Sequence, residues 1–238
     1  MNRCVIAGIA VGCLLSVVSP AAAGWVGAVL PSAMPSAERS RVLQLAETAD
    51  VATRVDAEPF IAKPEVFEYL LDHPEFATHV TQTLRLARYR VWPTAQGFFL
   101  DDGWGARGHF WVVHAGRGTR VMVARGEFRQ LLLPAIGGEA VTMIEYGFTP
   151  AAEGRSVIRT TVTGFVRLNS RMAALVLKVG GSAAQQKADL EASRLMKVFA
   201  RASRLIDETP AGVLEQLAQR PQIPRRELQE FGRLLNVR

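Results

Sequence analysis

Cysteine is nearly absent from this chain of 238 residues, and both cysteines lie close to the N-terminus, at Cys4 and Cys13. If the apolar run that contains them is removed, no thiol remains for a disulfide, a thiolate nucleophile or a cysteine metal site. The sequence also has no HExxH, no GxSxG and no phosphate-binding loop motif. No second apolar run is long enough to span a bilayer. We therefore assign no catalytic residue, and we expect no metal and no cofactor. The order of secondary-structure elements is the main guide to the fold and function.

The N-terminal apolar run has the three parts of a secretory signal peptide. Arg3 precedes apolar residues from Cys4 to Val18, and three small residues end the segment at Ala23. We therefore predict that residues 1–23 are cleaved after Ala23 and that the protein is exported, with the bacterial periplasm as the expected compartment. The alternative is an uncleaved N-terminal membrane anchor, because apolar residues continue to Leu30 and a spanning helix needs about 20 of them.

The basic character of the chain does not point to nucleic acid. The formal net charge is +6 and the pI is about 9.9, but the basic residues are scattered along the sequence rather than clustered. Export also separates the protein from most nucleic acid. We expect a solvated basic surface, and an anionic membrane surface is the alternative partner for this charge.

The apolar pattern divides the chain into four parts. Residues 1–23 are the signal peptide, and residues 24–50 form an extension with a short helix. Residues 51–207 form one domain, with a first strand, two short helices, a run of about six strands joined by hairpins, and a long helix. Residues 208–238 form a helical tail. Because consecutive hairpins give antiparallel pairs, the expected class is α+β with an antiparallel sheet of about six to seven strands.

The long helix and the last strand have the clearest apolar faces. The strand Ser156 to Leu168 alternates between apolar and polar residues with a period of two. The helix carries apolar residues at alternating steps of four and three, at Ala188, Ala192, Leu195, Phe199, Ala202 and Ile206. A sheet with one apolar face needs cover, and this helix is the expected cover.

The hairpin that precedes this helix has a predicted register. A turn centred on Ala152 places Glu145 opposite Arg159, as an ordinary cross-strand ion pair. The solvent face then carries Glu145, Arg159, Thr161 and Thr163. The inward face carries Ile144, Tyr146, Ile158, Thr160 and Val162.

The order of elements resembles the helix-grip superfamily, which includes START-type lipid-transfer domains and polyketide cyclases. The parts that carry the resemblance are the segment Lys63 to Phe67 that opens a helix, the segment Gly103 to Arg107 that leads into a strand, and the helix after Gly180-Gly181. The resemblance covers about residues 51–206. It implies a curved sheet wrapped around the last helix, with an apolar cavity between them.

These observations predict a non-catalytic carrier that binds a lipid or another apolar small molecule. Tyr146 and Thr160 are candidates for fixing a polar head, and the other candidate ligand-binding residues are Ile144, Ile158, Val162, His79, Leu195 and Phe199. A cyclase- or hydrolase-like enzyme that uses His79 or an inward acid in the same pocket is one alternative. A structural or assembly factor without a pocket is the other.

The segment Met172 to Val179 has apolar residues at helical spacing and is followed by two glycines. It is interpreted either as a gate over the cavity, as a membrane-contacting segment, or as a helical turn packed on the sheet edge.

Overall fold

The computed structural model describes residues 30–129, 135–170 and 181–237, without the side chains of 181–185 and 187. The chain is α+β. Its helices are α1 (Ser36–Glu47), α2 (Pro64–Asp72), α3 (Pro74–Thr83), α4 (Gly181–Glu208), α5 (Pro210–Ala218) and α6 (Arg225–Leu234). Its strands are β1 (Val51–Asp56), β2 (Phe60–Ala62), β3 (Arg90–Thr94), β4 (Gly97–Asp101), β5 (Ala106–Gly116), β6 (Thr119–Phe128), β7 (Ile136–Pro150) and β8 (Ser156–Leu168).

Eight strands form one antiparallel sheet in the order β1-β8-β7-β6-β5-β4-β3, and β2 also pairs with β8. The strands from β3 to β8 are joined in sequence as a meander, as their hairpin pattern predicts. The expected count of six to seven strands was too low because β2 has only three residues and pairs at the edge of the sheet. A segment this short shows no alternation from which a strand can be inferred.

Prolines set the starts of three of the helices. Pro64, Pro74 and Pro210 occupy the first turns of α2, α3 and α5. At this position proline costs no hydrogen bond, because the first N–H groups of a helix have no partner within it. A proline also disfavours helical backbone at the residue before it. α2 therefore stops at Asp72, and His73 separates it from Pro74.

One face of the sheet, which we call the inner face, carries Ile144, Ile158 and Val162 and packs on helices. α4 lies against β1, β2 and β8, and it also contacts α2, α3 and α5. The main core lies between them and includes Phe67, Phe199 and other buried residues of α2, α3, α4, α5 and α6. The inner face is thus covered by helices at its β8 side.

The opposite, outer face is covered in part by the N-terminal extension. Buried residues of α1, such as Val42 and Leu45, form a second core with Val121, Met143 and Phe165. The prediction that Thr163 faces solvent is wrong. Thr163 lies on the outer face, as expected, but it is fully buried. The prediction failed because it assigned no packing partner to the short helix of the extension, which covers this face.

The register of the β7–β8 hairpin differs from the predicted one by two residues. Glu145 lies opposite Thr161, and Arg159 lies opposite Gly147. Glu145 instead accepts a hydrogen bond from Arg54 of β1, at 3.1 Å. A shift of two residues keeps every side chain on its predicted face. The partner was therefore wrong, although the inward positions of Ile144, Ile158 and Val162 agree with the structure.

The signal peptide and the segment Met172 to Val179 lie outside the described residues. Within the residues that the structure describes, no helix is both long and apolar enough to cross a membrane.

Candidate functional site: an apolar cavity

A cavity of about 550 Å³ lies on the inner face of the sheet, beside the main core. Its walls are predominantly apolar and come from β3 to β8, from α2 and α3, and from α4 through Leu195 and Phe199. Leu100, Phe110 and Met122 of the wall are only partly buried, although they lie on the face that packs on helices. The apolar side chains of the described residues therefore leave this part of the inner face unfilled.

Small residues from three neighbouring strands create the space. Gly108 of β5 lies opposite Gly126 of β6, which in turn lies opposite Gly138 of β7. The next row towards the core contains Ala124 opposite Ala140. All five residues line the cavity, so its floor is made of backbone and methyl groups.

The glycines are also required by the close approach of the strands. A Cβ at Gly126 would lie 2.4 Å from the carbonyl oxygen of Arg107, and a Cβ at Gly108 would lie 2.5 Å from that of Arg125. A Cβ at Gly138 would lie 2.8 Å from the carbonyl oxygen of Arg167. No side chain fits at these distances without a shift of the backbone, so glycine fixes both the local path of the strands and the depth of the cavity.

An ionic network lies beside the cavity, at the start of β6, and joins the buried Arg120 to the partly exposed Asp72. Arg120 lines the cavity and has only 8% of its side chain exposed. Its Nε and one Nη donate to the two carboxylate oxygens of Asp72 at 2.6 and 3.0 Å. Its other Nη donates to the Tyr146 hydroxyl at 2.7 Å and also to the carbonyl oxygens of Gly116 and Thr119. Asp72 belongs to α2, so this network ties the helix to the sheet.

The network extends through Tyr146 to a second acid. The Tyr146 hydroxyl donates to Glu68 at 2.9 Å. Burial, together with the hydrogen bond to Glu68, raises the pKa of Tyr146 to about 12. Burial acts to lower the pKa of Arg120, but Asp72, Tyr146 and Glu68 outweigh it and the pKa is raised. Arg120 therefore stays charged, with two carboxylates close to it.

The predicted ligand-binding residues divide into two groups. Ile144, Leu195 and Phe199 lie on the cavity wall. The other five do not belong to the described wall: Tyr146, Ile158 and Val162 pack in the main core, Thr160 is buried on the same face, and His79 lies apart on α3. The prediction that these sheet residues point to the inner face was right. The cavity, however, lies on the part of the inner face that is formed mainly by β5, β6 and the start of β7.

His79 faces the tail of the chain rather than the cavity. Burial lowers the pKa of His79, and the positive charge of Arg220, just beyond α5, lowers it further. Its Nδ1 is buried, with no hydrogen-bond partner among the described residues. It belongs to α3, which packs against α5, and the described groups that shift its pKa do not include an acid.

The residues that sequence reasoning missed are the three glycines and Arg120. Each glycine was visible in the sequence, but their meeting in one row depends on the register of three strands. Arg120 lies two residues after the glycine-rich turn at Gly118, where a surface position is the ordinary expectation for arginine. An apolar alternation interrupted by one arginine on the inward side is the only sign that a buried ion pair exists there.

Metal chemistry has no support from the described side chains. Within residues 30–129, 135–170 and 181–237, no group of three or more His, Asp or Glu residues is placed to hold a metal ion.

Comparisons with known proteins give a distant structural likeness. No protein-family model matches the chain, and no curated protein matches it. Among solved structures, the crystal structure of a hypothetical protein from Helicobacter pylori aligns with a TM-score of 0.38 and 13% sequence identity, over 66% of this chain and 89% of the other.

Proposed function

We propose that this protein is an exported, non-catalytic carrier that binds a lipid or another apolar small molecule in the cavity on the inner face of its sheet. The observation that carries the proposal is the apolar cavity of about 550 Å³. Small-molecule sites typically enclose about 300–1,000 Å³, with mostly apolar walls and a few polar groups. The cavity has this size and mostly apolar walls, and the buried residues Arg120 and Glu139 are among the charged residues that line it.

Binding in such a cavity is driven by desolvation of the ligand. Each methylene group that leaves water for an apolar site contributes about 0.8 kcal/mol. The partly buried apolar wall residues gain by the same transfer when the ligand covers them. A long alkyl chain or a fused apolar ring system therefore suits this site better than a small polar metabolite does.

We also propose that the domain is a START-like helix-grip domain, in which the sheet curves around the long helix. The support is the order of elements from β1 to α4, the antiparallel meander, and the contacts of α4 with β1, β2 and β8. Carriage across the periplasm after cleavage at Ala23 fits this function, and an anionic membrane surface is the proposed place of loading for a basic protein.

The cavity favours the carrier over a scaffold without a pocket, because a row of small residues leaves part of the inner face unfilled by the described side chains. The enzyme alternative loses its predicted histidine, since His79 lies outside the described wall. His109, Asp102, Glu127 and Glu139 do line the cavity, so an enzyme that uses an acid of the wall stays the second candidate.

The direct test is to purify the protein from its native host and to analyse an organic extract by mass spectrometry. We expect one class of apolar molecule in near-stoichiometric amount. An extract without such a molecule, combined with no binding of the neutral apolar probe N-phenylnaphthylamine to the delipidated protein, would overturn the proposal.

A pair of variants locates the binding site. Ala124→Phe places a ring in the cavity, because Ala124 lies on its floor, and it should reduce probe affinity by about tenfold or more. Ala151→Phe makes the same change at an exposed residue of the β7–β8 turn, and it should leave probe binding unchanged. Equal affinities for the two variants would place the bound molecule elsewhere.

A further inference from the structure

The turn between β4 and β5 presents an exposed tryptophan at one end of the sheet. Trp104 is 63% exposed, although tryptophan is highly buried on average. Two aspartates hold the turn: Asp101 accepts a hydrogen bond from the Gly103 N–H at 2.9 Å, and Asp102 accepts from the N–H groups of Trp104 and Ala106 at 2.6 and 3.0 Å. The indole is therefore exposed on a turn whose backbone is fixed by hydrogen bonds.

Three exposed arginines lie beside this turn. Arg90 of β3 and Arg107 of β5 both form ion pairs with Asp101 at 3.2 Å, and their side chains are 63% and 59% exposed. Arg129, just beyond β6, donates its backbone N–H to the carbonyl oxygen of Gly105 in the turn, and its side chain is 69% exposed. Asp101 itself is only 7% exposed, so two arginines share one acid that is largely hidden from solvent.

The same excess of arginine continues across the neighbouring strands. Arg125 of β6 and Arg167 of β8 lie on the two sides of Glu139 of β7 in the strand register, and both form ion pairs with it. Glu139 is 10% exposed, whereas Arg125 is 66% exposed. Glu127 has a single arginine, Arg129, at 2.6 Å. The charge that this end of the sheet presents to solvent is therefore mainly positive.

The cavity reaches the same end of the sheet. Asp102 of the turn lines the cavity, as do Ala106 at the start of β5 and Phe128 at the end of β6. Ala106 and Phe128 are also opposite each other in the strand register. A partner that contacts the turn therefore lies next to the cavity.

We infer that this end of the sheet is a docking surface for an anionic lipid bilayer, formed by Trp104 and the exposed arginines Arg90, Arg107 and Arg129. Tryptophan suits the boundary between headgroups and acyl chains, because its ring is apolar and its N–H is polar. Arginine suits lipid phosphates, because its planar fork donates two parallel hydrogen bonds. The inference rests on the proposed carrier function, since it identifies where the cavity meets the membrane that supplies or receives the cargo.

The test is co-sedimentation of the delipidated protein with vesicles of phosphatidylcholine alone and with vesicles that contain about one third phosphatidylglycerol. We expect at least about tenfold tighter binding to the anionic vesicles at low salt, because each arginine near an anionic surface adds to the attraction. The difference should disappear at about 1 M salt, where the Debye length is about 3 Å. Equal binding to the two kinds of vesicle at low salt, or no binding to either, would overturn the inference.

Binding of N-phenylnaphthylamine by the same preparation separates this inference from the proposed function. Normal probe binding without vesicle binding would overturn the docking surface and leave the carrier intact. Vesicle binding without probe binding would overturn the carrier, but not the docking surface.

The double variant Arg90→Gln/Arg129→Gln locates the surface. Neither residue lines the described cavity, and Arg107 keeps Asp101 paired. Affinity for anionic vesicles should fall by at least about fivefold, with probe binding unchanged.

The matched control is Arg117→Gln/Arg159→Gln, which removes the same charge at exposed positions near the opposite end of the sheet. It should change vesicle affinity by less than about twofold. Equal losses in the two double variants would show that net charge, and not this surface, attracts the bilayer, and would overturn the inference.

Trp104→Ala tests the turn itself. It should weaken binding to anionic vesicles by about threefold or more, because the ring loses its burial in the interface. Ile61→Ala truncates another exposed apolar residue, 51% exposed on β2, and should leave vesicle binding unchanged. Wild-type affinity in Trp104→Ala would mean that the turn does not touch the bilayer, which would also overturn the inference.

A single-stranded oligonucleotide in the same assay separates a bilayer from nucleic acid, which arginine and tryptophan side chains also bind. We expect the anionic vesicles to bind more tightly. Tighter binding of the oligonucleotide, lost in Arg90→Gln/Arg129→Gln, would assign the surface to nucleic acid instead.

Discussion

Among the described residues, the inner face of the sheet is filled on one half and empty on the other, and a single strand passes through both. At one end of β7, Ile144 and Tyr146 are buried against Phe67 in the main core. At the other end, Gly138 and Ala140 line the cavity. The backbone continues in the same antiparallel ladder throughout.

The difference between the halves is therefore one of side-chain volume, not of fold. In the filled half, the ring of Phe67 lies 5.3–6.3 Å from the rings of Phe60, Tyr146, Phe148 and Phe199. In the empty half, no residue of comparable size enters from the three glycine positions. A protein that needs only stability gains from filling such a space, and the proposed carrier function gives one reason to retain it.

The largest expected effect on stability comes from truncating one aromatic residue in each half. Phe67→Ala should lower the free energy of unfolding by about 3–5 kcal/mol, because it opens a hole in a close-packed cluster. Phe110→Ala should cost less than about 1.5 kcal/mol, because Phe110 borders a space that already exists and is only partly buried. Urea denaturation of the ligand-free protein measures both. Equal losses would mean that the cavity half is as tightly packed as the core.

The next test adds one methyl group to the cavity floor. Gly126→Ala should destabilise the protein by about 1–3 kcal/mol, because the new Cβ meets the backbone of β5. Gly147→Ala is the matched control, since Gly147 lies in β7 and its Cβ would meet nothing within 4 Å. It should change the stability by no more than about 0.5 kcal/mol. If Gly126→Ala is also neutral, the glycines are not needed for the close approach of the strands.

A smaller effect is expected where the filled half continues into the C-terminal helix. Burial raises the pKa of Glu227 in α6, and Glu75 and Glu230 raise it further, against an opposing effect of His73. The folded protein thus holds this proton more tightly than the unfolded chain does. The resulting stability is present below the ordinary carboxyl pKa and is lost as the pH rises through the raised value.

Glu227→Gln is neutral at every pH and should therefore stabilise the protein at pH 7, by no more than about 1 kcal/mol because the group is partly solvated. The gain should shrink at pH 4. Thermal unfolding at both pH values measures it, with Glu215→Gln at an exposed position of α5 as the control. A gain that does not depend on pH would contradict the assignment to this proton.

The smallest expected effect concerns the register of the β7–β8 hairpin, which positions the two halves. A double-mutant cycle between Arg54 and Glu145 should give a coupling energy of about 0.2–1 kcal/mol, as for other exposed ion pairs. The cycle between Arg159 and Glu145 should give none, because Arg159 lies opposite Gly147. A coupling to Arg159 would restore the other register and move the small residues of β7 relative to those of β8.

Local patterns in the sequence predicted much of the fold. Period-two alternation placed β8 with both of its ends, and Pro64 and Pro74 placed the starts of two helices. These signals depend on residues close together in the chain. The partner of Glu145 was wrong because it depends on the turn: Glu153 and Gly154 both adopt positive φ angles of 60° and 69°, which centres the hairpin one residue later than assumed.

The position of the cavity could not be read from the same patterns. Its floor requires that Gly108, Gly126 and Gly138 come into one row, which is a property of two registers and not of any segment. The burial of Thr163 likewise depends on α1, more than a hundred residues away in the chain. Long-range pairing decided the features that position the candidate site, whereas local periodicity decided the elements.

The glycine row also limits how this protein can change. Because any residue other than glycine at these three positions meets backbone, the depth of the cavity is fixed there. Its length and width remain adjustable at Ala124, Ala140 and Thr142, where each added methyl group shortens the available space by a small step. A related chain with the same row of glycines and larger residues at those three positions would have a shorter cavity on an unchanged frame, so the size of the cavity can vary by single substitutions while the fold is conserved.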